Sequence, residues 1–226
     1  MKSPKKHEQS FGSGPNGPRT TDLPATRQYF DEKQRKILRT ATGLIARVGY
    51  EKASMRAMAQ AAGVSLAGLY HYFDSKETML FLIQFRTFTS LLSTLRENLH
   101  GVDAPEDQLR MLVRSHVSYF ANNMDSLKVC SHELESLSGE SHEEIRRIRH
   151  DYYTLTRSVV DKVIDEQGNG TTLDRYVATM SLFGMLNWLY RWYDPRRDRS
   201  PSLVANQLAA QFLHGLARGN EENGSG

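Results

Sequence analysis

Between residues 31 and 218 apolar side chains recur at spacings of three and four, with no sustained alternation, and this predicts an all-α chain. Ile37, Ala41, Leu44, Ile45 and Val48 form one stripe, which Gly49 ends. Ser54 and Ser65 stand where they would cap two short helices, the first stopping before Gly63 and the second reaching about Tyr72. Asp74 or Ser75 opens a longer helix with Met79, Leu80, Ile83 and Phe85. Pro105 takes the first position of a helix whose face is Leu109, Leu112, Val113, His116, Val117 and Phe120. Helices over about 127–137, 141–166, 172–193 and 201–218 follow, with Gly168 and Gly170 breaking the chain between the second and third of these. About nine helices are expected. They divide into a small N-terminal unit over 31–80 and a larger one over 81–218, between polar tails at 1–30 and 219–226.

Charge sharpens this division. Residues 31–80 carry eight Lys and Arg against five Asp and Glu, and residues 1–30 carry five against two, whereas the whole chain is only +3. A basic front end on a slightly acidic remainder is the arrangement of a protein that meets a polyanion with one end. At that end, three short helices joined by glycine-containing turns meet the requirement of a helix-turn-helix. Ala59, Ala62 and Val64 are small enough for two helices to cross closely, and Gly63 supplies a left-handed turn residue.

The run Gly63-Val64-Ser65, then Leu69-Tyr70-His71-Tyr72-Phe73 and Ser75-Lys76-Glu77, resembles the N-terminal domain of the TetR family of transcriptional regulators. The resemblance implies a homodimer that binds double-stranded operator DNA with its third helices in successive major grooves. It also implies a helical domain for dimerisation and for a small-molecule effector whose binding releases DNA. Within the unit, Ser54 and Ser65 are expected to anchor phosphates, and Lys76 to add a point charge on the same strand. Leu66, Ala67, Gly68 and His71 would face base edges, reading thymine methyls and shape as much as hydrogen-bonding groups. Arg56 is the guanidinium best placed for a guanine or a phosphate. Tyr70 and Tyr72 are either core aromatics or, as the family pattern implies, phosphate contacts. Phe73 and Leu69 read as core.

The larger unit is legible mainly at one helix. Fifteen residues from Tyr176 to Tyr190 carry no formal charge, too few to span a membrane. Such a helix must be covered on several sides, and Gly184, with Leu208 and Phe212 on the last helix, is the expected dimer seam. Trp188 and Trp192, four residues apart, with Asn187, Arg191, Met180, Tyr152 and Tyr153, would line an apolar space with a cation at its edge, or else pack as core. The Asn187-to-Tyr193 run is similar to that of TetR-family regulators of lipid and fatty-acid breakdown that respond to acyl-coenzyme A. Such an effector is therefore expected, with Arg146, Arg147, Arg149 or Arg196, Arg197, Arg199 for its phosphates. The alternatives are a constitutive DNA-binding dimer and a regulator of a neutral lipophilic compound. Glu143 and Glu144 would make the first arginine cluster an ordinary ion-paired face.

Other chemistry is poorly supported. One cysteine, Cys130, excludes an intrachain disulfide and suits a cytoplasmic protein. His132 and His142 near it lack the spacing of a helical zinc motif, so no metal is expected. No apolar run follows Lys5 and Lys6, so no signal peptide is read there. No phosphate loop, nucleophile elbow or His-Glu-x-x-His is present, and neither an enzymatic activity nor a cofactor is expected.

Overall fold

The computed structural model describes residues 32–166 and 173–218, all ten of whose regular elements are helices. The tails expected at 1–30 and 219–226 and the break at Gly168 and Gly170 lie outside the described residues. In chain order the helices are α1 (Glu32–Val48), α2 (Met55–Ala62), α3 (Leu66–Tyr72), α4 (Lys76–Leu99), α5 (Pro105–Ala121), α6 (Met124–His132), α7 (Gly139–Glu166), α8 (Arg175–Asn187), α9 (Leu189–Trp192) and α10 (Pro201–Arg218).

Two cores organise them. Ile37, Ala41 and Ile45 of α1, Met58 of α2, Leu69 of α3 and Phe73 close the first, together with Met79, Leu80 and Ile83 from the start of α4. The second lies among the rest of α4 and α5, α7, α8 and α10, with α10 lying along α5. The long helix α4 contributes to both and ties one to the other. Val129 of α6, Leu137 from the link before α7, and Ile145 of α7 also enter the first core, so the larger unit reaches across to seat the smaller.

Local differences from the sequence pattern have physical causes. The α1 stripe is rotated: Leu38 is buried while Val48, in the last turn, faces out. The helix expected over 127–137 ends at His132, because Glu133 turns the chain so that Leu137 can enter the first core. The helix expected over 172–193 is two helices. Trp188, at φ −82° and ψ −5°, breaks the ladder, after which Leu189 and Tyr193 take the inward face and Trp188 and Trp192 the outward one.

Candidate functional site

The helix-turn-helix is held by its caps. Ser54 Oγ accepts the Ala57 amide at 3.1 Å and Ser65 Oγ accepts the Gly68 amide at 2.9 Å, satisfying donors that the first turns of α2 and α3 leave open. Gly63, at φ 68°, ends α2, and Val64 donates back to the Ala59 carbonyl at 3.0 Å, which sets the close turn between the two helices. A Cβ at Gly68 would stand 3.0 Å from Ser65 Oγ, so glycine there makes room for the cap. Each serine hydroxyl still has its own proton to donate to a phosphate.

With Leu69 and Phe73 buried, α3 turns Ala67, Tyr70 and His71 outward. Tyr70 is exposed, whereas Tyr72 is half-buried against the first core, as is Leu66. Lys33 of α1 places its ammonium 5.7 Å from the Tyr72 ring centroid. Arg56 is exposed on α2. Lys76 is half-buried and not a free point charge: its Nζ donates to the Tyr50 carbonyl at 3.2 Å and lies 4.0 Å from the centroid of the Tyr50 ring.

A set of polar contacts joins this unit to the larger one. The Tyr50 amide donates to Glu133 Oε1 at 3.2 Å, and Gln84 Nε2 to the Glu133 carbonyl at 3.0 Å. Glu77 Oε1 accepts both the amide and the hydroxyl of Ser138 at 2.8 Å. Glu133 and Ser138 both lie in the segment that links α6 to α7.

Leu134 of that same segment lines a cavity of about 390 Å³. Leu91, His116, Phe120, Leu127, Cys130 and Tyr152 are its buried lining, and Arg146, His150, Met180 and Asn187 its exposed lining. Four residues named from the sequence, Tyr152, Tyr153, Met180 and Asn187, are thus brought together. Tyr153 stacks on Phe183 at 6.2 Å between ring centroids. Trp188, Arg191 and Trp192 do not line this cavity. All three are exposed, Arg191 sits 5.5 Å over the Trp188 ring, and Trp192 borders a separate hollow with Arg197 and Arg199. The break at Trp188 is what turned them away.

The arginines divide similarly. Arg147 is paired with Glu144 at 2.6 Å, and Arg196 and Arg197 with Asp194, so these serve local ion pairs. Arg146 lines the cavity while also pairing with Glu143 at 3.3 Å. Arg149 is half-buried, donates to the Cys130 carbonyl at 3.0 Å and lies 5.2 Å over the Phe88 ring. Burial lowers its pKa, but a guanidinium stays charged under all ordinary conditions.

Buried groups on the floor are held neutral. Burial depresses His116 to about 3 and raises the Cys130 thiol to about 12, so neither offers a charge. Phe88, Leu127, Cys130 and Phe183 also line the cavity and were not named for it from the sequence. The only signal was His116, a polar residue in the middle of an apolar face.

The expected seam residues separate. Gly184 is exposed, with nothing within 4 Å of a built Cβ. Leu208 is half-buried, and Phe212 is buried in the chain's own second core. The exposed apolar residues of α8 are instead Tyr176, Val177 and Met180, continued by Trp188. No helix among the described residues is long and apolar enough to cross a membrane. No cluster of three or more metal-ligating side chains occurs among them.

Comparison with known proteins agrees with this layout. Residues 37–83 match the model of bacterial regulatory proteins of the tetR family, and residues 102–216 that of the tetracyclin repressor-like C-terminal domain. The HTH-type transcriptional repressor KstR2 of Rhodococcus jostii is 25% identical over 187 residues, 82% of this chain and 91% of that protein. A TetR-family transcriptional regulator from Bordetella parapertussis superposes with a TM-score of 0.76 at 28% identity, covering 81% of this chain and 95% of that one. AibR, solved with isovaleryl coenzyme A and operator DNA, gives a TM-score of 0.70 at 26% identity over 80% of this chain and 97% of its own. With both its units matched, the chain belongs to the TetR family of transcriptional regulators.

Proposed function

We propose that the protein is a homodimeric cytoplasmic repressor, released from its operator by an acyl-coenzyme A thioester or a closely similar amphipathic anion. The observation that carries this reading is the cavity beside α6: it has an apolar floor, and cations, Arg146 and Arg149, on one wall. An acyl chain suits the floor and the phosphates of the coenzyme suit the cations. AibR, which was solved with such a thioester and with operator DNA, supports the reading. In the DNA-bound form Ala67, Tyr70 and His71 would meet the major groove, with Ser54, Ser65 and Arg56 on phosphates. The exposed stripe Tyr176, Val177, Met180 and Gly184 would be covered by the second subunit.

Coupling follows from position. The segment after α6 holds Tyr50 and Glu77 of the DNA-binding unit through Glu133 and Ser138, and its Leu134 lines the cavity. A ligand shifts the equilibrium only through its different affinity for the two arrangements. A coupling of about 1–3 kcal/mol lowers operator affinity roughly 5- to 150-fold. The test is a titration of acyl-coenzyme A thioesters of several chain lengths against a preformed operator complex. Release in that range, weakened in Arg149→Met, is expected. If thioesters that bind the protein leave DNA affinity unchanged, the thioester reading fails.

A further inference from the structure

His116 is 1% exposed on α5 and lines the cavity. Its Nδ1 lies 3.0 Å from the hydroxyl of Tyr152 on α7, while its Nε2 has no hydrogen-bond partner. The ring is fixed by Phe120, 4.8 Å away between centroids, so it has little freedom to find another partner. A buried polar group left unpaired in this way is costly to the fold.

A count of protons tells what the pair offers. Neutral imidazole has one N–H and tyrosine one O–H. One of the two protons fills the mutual hydrogen bond, whichever way it points. If Tyr152 donates, Nε2–H is left over; if His116 donates, the Tyr152 hydroxyl proton is left over. In both cases one donor and one acceptor remain, and no other hydrogen bond of the Tyr152 hydroxyl is formed among the described residues. The depressed pKa of His116 keeps this count valid throughout the physiological range.

The surroundings narrow the complement. Leu91, Phe120 and Leu127 of the buried lining are apolar, and burial alone accounts for the lowered pKa of His116, with no charged neighbour contributing. A neutral dipole without a nearby cation does not repay the desolvation of a carboxylate or phosphate. We propose that the floor of the cavity recognises an uncharged oxygen, a carbonyl or a hydroxyl, at the apolar end of the effector, held by His116 Nε2 and the Tyr152 hydroxyl. The effector is then polar at both ends: anionic at the exposed lining and oxygenated at the floor. A plain alkyl chain fills the same space but leaves the donor unmet.

This inference rests on the reading that the cavity is an effector site, but not on the coenzyme. The test therefore uses two matched pairs of probes, octanoyl-coenzyme A with 7-oxo-octanoyl-coenzyme A and free octanoate with free 7-oxo-octanoate, titrated by calorimetry into the full chain. In each pair that binds, the oxo member should bind roughly 10-fold or more tightly, the usual consequence of meeting a buried donor. In the double variant His116→Phe with Tyr152→Phe that preference should vanish, and in His116→Gln, which retains an N–H, part of it should remain. Equal binding of the oxo and plain members to the parent overturns the inference, as does a preference that survives in the double variant. Should that variant not fold, the parent's preference decides by itself. A preference in the free acids with no binding of either thioester sinks the coenzyme and keeps the oxygen. Thioester binding without preference does the reverse, and failure of all four probes overturns both.

Discussion

The two cores of this molecule are built to opposite specifications. In the DNA-binding unit every turn is closed by a cap: Ser54, Ser65 and Ser75 each accept an amide at the start of their helices, and small residues bring α2 and α3 close. In the larger unit the packing leaves a cavity, and one of the atoms lining it, the buried His116 Nε2, has no hydrogen-bond partner. The first must present a fixed surface to DNA, so local rigidity serves it. The second must accept a guest, and unmet polar groups are what a guest can satisfy.

The largest effect that would break this comparison concerns the proposed dimer. Phe212 is packed in the second core, so Phe212→Glu should unfold the larger unit, losing more than about 4 kcal/mol by burying a charge. Gly184→Glu should leave the fold intact and dissociate the dimer, because the glycine faces outward on the exposed stripe. Circular-dichroism melts and sedimentation read the two outcomes. A folded Phe212→Glu, or a dimeric Gly184→Glu, removes the distinction between core and seam.

A middle-sized effect sharpens it. An unfolded histidine titrates near about 6.5, whereas His116 in the fold is held down to about 3 by burial. Between these values the unfolded chain takes up a proton that the folded one refuses, so stability falls as pH drops through that window and is insensitive to this group above it. The slope is about 1.4 kcal/mol per pH unit. Tyr152 is the titratable group bonded to His116 from α7, and with its pKa raised by burial it stays protonated throughout. In His116→Gln the loss of stability between pH 7 and pH 5 should shrink by about 2 kcal/mol, measured by urea unfolding. An unchanged loss would mean that the ring is accessible to protons and the floor is not dry.

The same contrast explains what was legible in the sequence. Caps, glycine turns and apolar spacing act within a few residues of each other, so Ser54, Gly63, Ser65 and the Leu69 and Phe73 anchors follow from local rules. The cavity is made by α4, α5, α6, α7 and α8 meeting in space, and nothing in the spacing of Phe88, Phe120 or Cys130 distinguishes a cavity wall from a filled core. Trp188 and Trp192 misled for a related reason. Their i,i+4 spacing does put them on one face, but the break at Trp188 turns that face outward, because Leu189 and Tyr193 enter the core formed with other helices. Phe212 was read as seam because a helix shows the same stripe whether its partner is its own chain or another.

The smallest effect tests where a charge acts. Read from the sequence alone, Lys76 is a phosphate contact, and its removal should lower the salt dependence of operator binding by roughly one phosphate, a slope change of about 0.9. In the fold its ammonium is already engaged: it donates to the Tyr50 carbonyl and lies over the Tyr50 ring, next to the amide that Glu133 holds from the larger unit. Reaching DNA would require giving up both contacts. Lys76→Met keeps the length of the side chain and removes the charge, so it should lower stability by about 1 kcal/mol, the order of one hydrogen bond with a cation–π contact. Its operator complex should retain the salt slope of the parent, measured by fluorescence anisotropy at several salt concentrations. A slope lower by one phosphate with unchanged stability would show that the amine leaves Tyr50 for the DNA, and that the DNA-binding unit is less completely fixed before binding than its caps imply.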